Sequence, residues 1–244
     1  MLLYALVFYV WNSDQSVHKS YQYGNDGYNL IKKIAPTAVS KKQVNRLLLS
    51  KLIMKNAKKY DFHYWDGKRS EGYGGYKFID GYWKPIAKKL IKNYKLNNSS
   101  SILDIGCGKG FLLYEMKKIL PGLKVAGIDI SKYALKNSHP EVKSFLTLNS
   151  AEKKYPFKSK SFDLVISLGT LHNLNIYELA YAFKEINRVS KKSYIWVESY
   201  RNDKELCNLQ CWAFTCKSFY DPVSWKWVFK NFKYKGDYEF IYFQ

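Results

Sequence analysis

The chain has 244 residues, 47% hydrophobic and 25% charged, which suits one sizeable core and excludes a disordered or fibrous protein. Its formal net charge of +20 raises a nucleic-acid surface, but only four of the 40 basic residues are arginine, the better phosphate fork. The lysines are scattered in pairs such as Lys32-Lys33 and Lys117-Lys118, so a solvated lysine coat is the favoured reading and nucleic acid the less favoured partner.

Met1 to Trp11 is almost entirely apolar but falls short of the about 20 residues that cross a bilayer. No transmembrane span is expected there; a buried strand, an interfacial anchor and a misassigned start all stay open. Residues 13–40 are polar and rich in Gly and Asn, so residues 1–45 read as a weakly defined extension. Residues 46–98 read as a cap. It begins with a helix carrying Val44, Leu47, Leu48, Leu52 and Met54, followed by an aromatic glycine-rich loop from Tyr64 to Tyr76. A second helix runs from Trp83 to Tyr94, with Pro85 in its first turn.

Residues 99–244 change rhythm. Strands are predicted at Ile102–Ile105, Lys124–Ile130, Val142–Leu148, Phe162–Ser167 and Tyr194–Glu198. Helices are predicted between them at Phe111–Leu120, 132–138 and Tyr177–Val189. Strand and helix in alternation imply crossover connections and a parallel sheet covered on both faces. A helix at Pro222–Phe232 and the alternating run Tyr238–Phe243 follow, the latter read as an antiparallel strand added late. Cys107, Cys207, Cys211 and Cys216 lack the paired spacing of zinc knuckles; reduced thiols, no metal and a cytoplasmic location are expected.

The chemistry concentrates at Asp104-Ile105-Gly106-Cys107-Gly108-Lys109-Gly110-Phe111, where a buried strand ends in a glycine turn that opens a helix. Such a turn lets backbone N–H groups approach a ligand at the carboxyl end of a parallel sheet. The next strand ends in Asp129, an acid suited to ribose hydroxyls. Those residues alone leave two cofactor families open. A dinucleotide fingerprint, however, requires glycine where Phe111 stands.

The D-x-G-x-G-x-G pattern resembles the first motif of class I S-adenosylmethionine-dependent methyltransferases of the type 11-like kind. Pro156-Phe157, the strand Phe162–Ser167 with its lead-in from Ser159, and Leu171-His172-Asn173-Leu174 extend the likeness over about residues 99–200. The block Tyr64-Trp65-Asp66-Gly67-Lys68-Arg69 with Gly72-Tyr73-Gly74-Gly75-Tyr76, and the ending Gly236–Phe243, are similar to one bacterial group of that family. The resemblance implies a Rossmann-like, doubly wound, mostly parallel seven-stranded α/β sheet beneath an N-terminal helical and loop cap. It implies S-adenosyl-L-methionine as cofactor, held by Asp104, Gly106, Cys107, Gly108, Gly110, Asp129, Ile130, Ser167 and Leu168. The family commonly has Asp-Ala after the third strand. Here Asn149-Ser150-Ala151-Glu152 stands instead, so Ser150, Ala151 and Glu152 are taken for the adenine side.

His172, beyond the fourth strand, is the expected general base, with Tyr73 and Glu198 completing the catalytic set. Tyr64, Asp66, Arg69 and Tyr76 are expected to grip substrate from a lid, and Arg201 to clamp an anion. A small polar acceptor is favoured, methylated on O or N, with a sugar or polysaccharide precursor in view. RNA or protein methylation, a nicotinamide oxidoreductase and a non-catalytic module that kept the fold are the rivals. No Asn-Pro-Pro-Tyr motif follows the fourth strand, where Ser167-Leu168-Gly169-Thr170 stands, which argues against base-amino methylation. Oligomeric state is not legible.

Overall fold

Residues 53–70 and 72–244 are described by a computed structural model. The chain divides into the units Met1–Lys55 and Asn56–Gln244, and the second carries everything below. The helix expected over Val44 to Met54 lies almost wholly outside the described residues.

A short helix, α1 (Phe62–Trp65), leads into the glycine-rich loop, and α2 (Lys84–Tyr94) follows. The sheet then begins with β1 (Ser101–Ile105), α3 (Phe111–Ile119), β2 (Lys124–Asp129), α4 (Lys132–Lys136) and β3 (Leu146–Leu148). β4 (Phe162–Leu168), α5 (Ile176–Val189) and β5 (Ser190–Glu198) continue it. α6 (Asp203–Trp212), α7 (Pro222–Asn231) and β6 (Asp237–Ile241) close the chain.

The strand order is β3-β2-β1-β4-β5-β6, and every pairing is parallel. The order reverses between β1 and β4, which opens a crevice at their carboxyl ends. Two expectations are corrected here. Among the described residues the sheet has six strands, not seven, because the sequence holds only six strand-like apolar runs there. β6 is parallel, not antiparallel: two helices intervene after β5 and carry the chain back to the starting end of the sheet. Alternation along a strand says which side chains share a face and nothing about direction.

Alternation along the strands feeds two cores. Leu103, Ile105, Val165, Ile195 and Val197 meet Leu179, Phe183 and Ile186 of α5 and Trp225 and Phe229 of α7 on one face. Ile102, Leu164 and Ile166 meet Ala87 and Leu90 of α2 and Leu113 and Met116 of α3 on the other. Each large apolar side chain so buried stabilises the fold by roughly 1.5–3 kcal/mol. Helix starts are set by local chemistry. Asn175 caps α5 in a reciprocal capping box with Glu178, and Asp221 caps α7 ahead of Pro222. The helix α6 carried no apolar periodicity strong enough to announce it; it is specified by the Asn202 cap, which accepts from the Glu205 N–H, and by two acids in its first turn.

Candidate functional site

The turn after β1 is built so that only glycine fits. Gly106 has φ +79°, and a Cβ there would lie 2.0 Å from Thr170 Oγ1, in the loop after β4. Gly108 has φ +54°, and a Cβ would meet the Trp65 ring at 2.8 Å. The turn therefore lies flush against two other segments. Asp129 ties it to β2: its carboxylate accepts from the Gly108 N–H at 2.8 Å and the Ser131 N–H at 2.7 Å. Burial raises the Asp129 pKa, and those backbone donors restrain the rise. Asp104, deeper, is pushed up to about 7 by burial and then by the charge of Asp129.

A cavity of about 320 Å³ opens above this turn, over the carboxyl ends of β1, β2 and β4. Of the residues singled out from sequence, Gly106, Asp129, Ile130, Ser150, Ala151, Glu152, Leu168, Tyr64 and Tyr73 line it. Ser150 donates its hydroxyl to Glu152, which ties the two together on the wall. Asp104, Cys107, Gly108, Gly110 and Ser167 shape the turn without lining the cavity; Ser167 donates to the Ile105 carbonyl at 3.0 Å and ties β4 to β1. Carboxylates outnumber lysines on the wall, with Asp129, Glu152 and Glu178 against Lys58 and Lys217. A positively charged ligand suits that balance.

The aromatic block forms the cavity's roof and is bolted down. Asp66 receives the buried Lys109 ammonium on both oxygens at 2.8 Å and the Tyr133 hydroxyl at 2.8 Å. Burial alone would raise the Asp66 pKa, but Lys109 and then Tyr133 outweigh it and hold it below its ordinary value. Lys109 also donates to the Tyr76 carbonyl at 2.8 Å. Trp65 donates its indole N–H to Ser131 at 2.9 Å and stacks on Tyr73 at 5.4 Å between ring centroids; Tyr76 stacks on Phe111 at 5.2 Å. Arg69 is turned away from the cavity, donating to the Gly72 and Tyr73 carbonyls and lying 4.2 Å over the Trp212 ring. Asp66, Arg69 and Tyr76 thus hold the roof and do not line the cavity. Arg201 is outside the cavity, paired with Glu205 and stacked on Tyr242.

His172 lies behind the wall, 3% exposed, because the turn Leu171–Asn173 points its ring toward β5. Its Nε2 is 3.2 Å from Glu198 Oε2, close but not aligned as a hydrogen bond. Burial drives His172 down to about 3 and Glu198 up to about 7, the latter held back by a hydrogen bond from Trp212. Burial, and next the charge of Glu198, raises the pKa of Tyr73. Of the three residues expected to be catalytic, Tyr73 lines the cavity, and the neighbouring His172 and Glu198 do not. The His172 backbone carbonyl accepts from the Lys217 and Ser218 N–H groups at 3.0 and 2.9 Å, which brings Thr215 and Lys217 to the wall.

Several wall residues were not singled out from sequence: Tyr60, Trp65, Thr170, Asn173, Thr215 and Lys217. Tyr60 is pushed up to about 12 by burial, against a hydrogen bond with Thr215, and Thr215 donates to Asn173 at 2.7 Å. Trp65 stood in a block already noticed, and Lys109 inside the glycine motif itself. Thr215 left no local signal.

Residues 103–195 match the family model described as a methyltransferase domain. Residues 103–195 are therefore a methyltransferase domain, of the class I S-adenosylmethionine-dependent kind that the glycine motif resembles. This methyltransferase domain is similar to the demethylmenaquinone methyltransferase of Chlorobaculum tepidum, 35% identical over 114 residues, 46% of this chain and 46% of that one. It is also similar to the mitochondrial arginine-hydroxylase NDUFAF5 of Mus musculus, 34% identical over 109 residues, 45% of this chain and 31% of that one. Its fold resembles that of geranyl diphosphate C-methyltransferase from Streptomyces coelicolor, with a TM-score of 0.50 at 12% identity over 60% and 59% of the two chains. The chain spans less than half the length of these two curated relatives. Among the described residues, no helix is long and apolar enough to cross a membrane.

Proposed function

We propose that the chain is an active methyltransferase whose cavity over β1, β2 and β4 holds S-adenosylmethionine and passes its methyl group to a small polar acceptor, on oxygen or nitrogen. The observation that carries the reading is the glycine turn pinned to Asp129 under an acid-rich, aromatic-roofed cavity. When bound, the sulfonium nucleoside supplies an already activated methyl group. The chain's own task is then to bind, orient and exclude water. Asp129 is suited to the ribose hydroxyls, Ser150 and Glu152 to the adenine edge, and the Gly106 backbone to the methionyl end. Trp65, Tyr64 and Tyr73 form the roof, with Trp65 buried and stacked on the half-exposed Tyr73 ring. Residues 99–244 serve as the methyltransferase domain and 46–98 as its cap, in a cytoplasmic protein.

Tyr73 is the group of the catalytic set that reaches the cavity, so it is assigned to meet the acceptor. Tyr73 is assigned to take the acceptor's proton, with Glu198, which lies 3.2 Å from His172 behind the wall, as the buried acid whose charge it feels. His172 then positions Glu198 rather than touching substrate. Turnover is expected to rise as pH climbs through about 7, where Glu198 gives up its proton. The acceptors named for similar proteins range from demethylmenaquinone to malonyl-acyl-carrier protein and ribosomal RNA, and do not agree on a class. A small acceptor, a sugar or polysaccharide precursor among the candidates, is favoured by the roofed cavity and the scattered lysines.

The test has two parts. Calorimetry with S-adenosylhomocysteine should give a saturable heat that Asp129→Ala abolishes; a well-folded wild type that gives none overturns the reading. Radiolabelled donor should then label a small-molecule fraction of cell extract, and Tyr73→Phe should cut that turnover about 10²-fold, the worth of a proton-transfer group, with product affinity unchanged. Label found only in RNA would replace the acceptor class.

A further inference from the structure

Two helices on one face of the sheet carry matched outward rows. Each leads back to the start of a parallel strand, α5 to β5 and α7 to β6, so the two run in the same direction. They are neighbours: the Phe183 and Phe229 rings lie 5.6 Å apart between centroids, and Asn187 donates to the Lys233 carbonyl at 2.8 Å. Both contacts join residues 46 positions apart. The same offset pairs Tyr177 with Val223, Tyr181 with Trp227 and Lys184 with Lys230, so the two rows stand level. The inner sides of the helices are buried in one core, while Tyr177, Tyr181, Val223 and Trp227 are 58 to 79% exposed. Large apolar side chains gathered at that exposure on two adjacent helices mark an interaction surface.

Charge narrows what the surface meets. The exposed residues of the two helices include Lys184, Lys226 and Lys230 and no acid. Glu178 is paired with Lys217, and Glu185 with Arg188. A second copy of the chain would bring lysines toward lysines with no carboxylate between them. Nucleic acid is served poorly, because the one arginine of these helices, Arg188, is bound to Glu185 and to two backbone carbonyls. A lipid surface of negative charge suits both features. Tyrosine and tryptophan settle at headgroup level, and lysines beside them meet lipid phosphates.

We propose that the outward face of α5 and α7 docks the protein on an anionic lipid bilayer, with its four apolar side chains among the headgroups and its three lysines on lipid phosphates. Glu178, next to Tyr177 in the chain, lines the cavity over the glycine turn, so the apolar end of the face is the end beside the mouth. The docking does not rest on the methyl-donor reading.

The full chain is floated with vesicles of phosphatidylglycerol and phosphatidylcholine in equal parts, and with vesicles of phosphatidylcholine alone. It is expected to rise with the anionic vesicles, less so as salt increases, and to stay behind with the neutral ones. Tyr177→Ser with Trp227→Ser should weaken partitioning about tenfold, and so should Lys184→Gln with Lys226→Gln and Lys230→Gln. All five side chains are exposed, so the thermal midpoint should hold. The control lies on the opposite face of the sheet, on α2: Lys84→Gln with Lys88→Gln and Lys92→Gln should change partitioning less than about twofold. An equal loss in that control would reduce the effect to overall charge and overturn the proposal. Failure to float, or flotation that survives the Tyr177 and Trp227 exchange, overturns it as well. A wild-type dimer that the same exchange makes monomeric, or RNA binding lost with it, would give the face to another copy or to nucleic acid instead.

Discussion

The two sides of the crevice are assembled in opposite ways. Around Asp129 the wall comes from residues at or next to strand ends: Gly106, Ile130, Ser150 and Glu152 each lie within a few positions of β1, β2 or β3. On the side nearer Glu198 it comes from distant stretches of chain, with Tyr73 from the roof and Thr215 delivered by bonds to the carbonyl of His172, which itself lies behind the wall. One side is short-range chemistry printed in a motif. The other exists only after the chain has folded, and its buried pair is a histidine pushed down to about 3 beside a carboxyl pushed up to about 7.

That contrast can be broken experimentally. On the short-range side, Gly106→Ala forces a Cβ against Thr170 at a left-handed backbone, a strain of about 1–3 kcal/mol before any clash is counted. Affinity for S-adenosylhomocysteine is expected to drop about 100-fold or more by calorimetry. A drop under tenfold would mean that the turn can yield and that Thr170 is free to move. The join between the sides is weaker. Lys109→Met removes the ammonium that holds Asp66 and the Tyr76 carbonyl, and about tenfold of affinity should go with it. Limited proteolysis is then expected to cut the segment 66–76 faster than in the wild type; an unchanged rate would show that ring stacking alone holds the roof.

The smallest effect belongs to the long-range side and is read against pH. Glu198 has a folded pKa raised to about 7 from an ordinary 4.5, so its stabilising contribution is complete below about pH 4.5 and is lost as pH rises through 7. Glu198→Gln cannot lose it. The thermal midpoint of that variant should pull ahead of the wild type by a few degrees between pH 5 and pH 8, with His172 neutral in both above its folded pKa of about 3. Parallel curves would place Glu198 back in the ordinary range.

What was legible in the sequence follows the same division. The five strands before α6 were readable because buried parallel strands are short apolar runs, and glycine spacing told a nucleoside turn from a dinucleotide one at Phe111. The direction of β6 was not readable, since alternation is blind to it and the two intervening helices decide it. Asp66 and Arg69 looked like ligand groups because polar residues among glycines usually are; their actual partners, Lys109 and the Trp212 ring, are remote or chemically unremarkable in one dimension. His172 was placed at the right strand end, but the turn that rotates its ring toward Glu198 depends on packing that no local pattern encodes.

The ring of Trp65 occupies the space that a methyl group on residue 108 would need. Neither position can be altered by inheritance without consulting the other: a larger residue at 108 is tolerable only with a smaller one at 65, and with it the indole bond to Ser131 disappears. Across descendants of this gene, positions 65, 108 and 131 are therefore expected to drift as a linked trio, while Lys58 and Lys217 at the mouth vary independently.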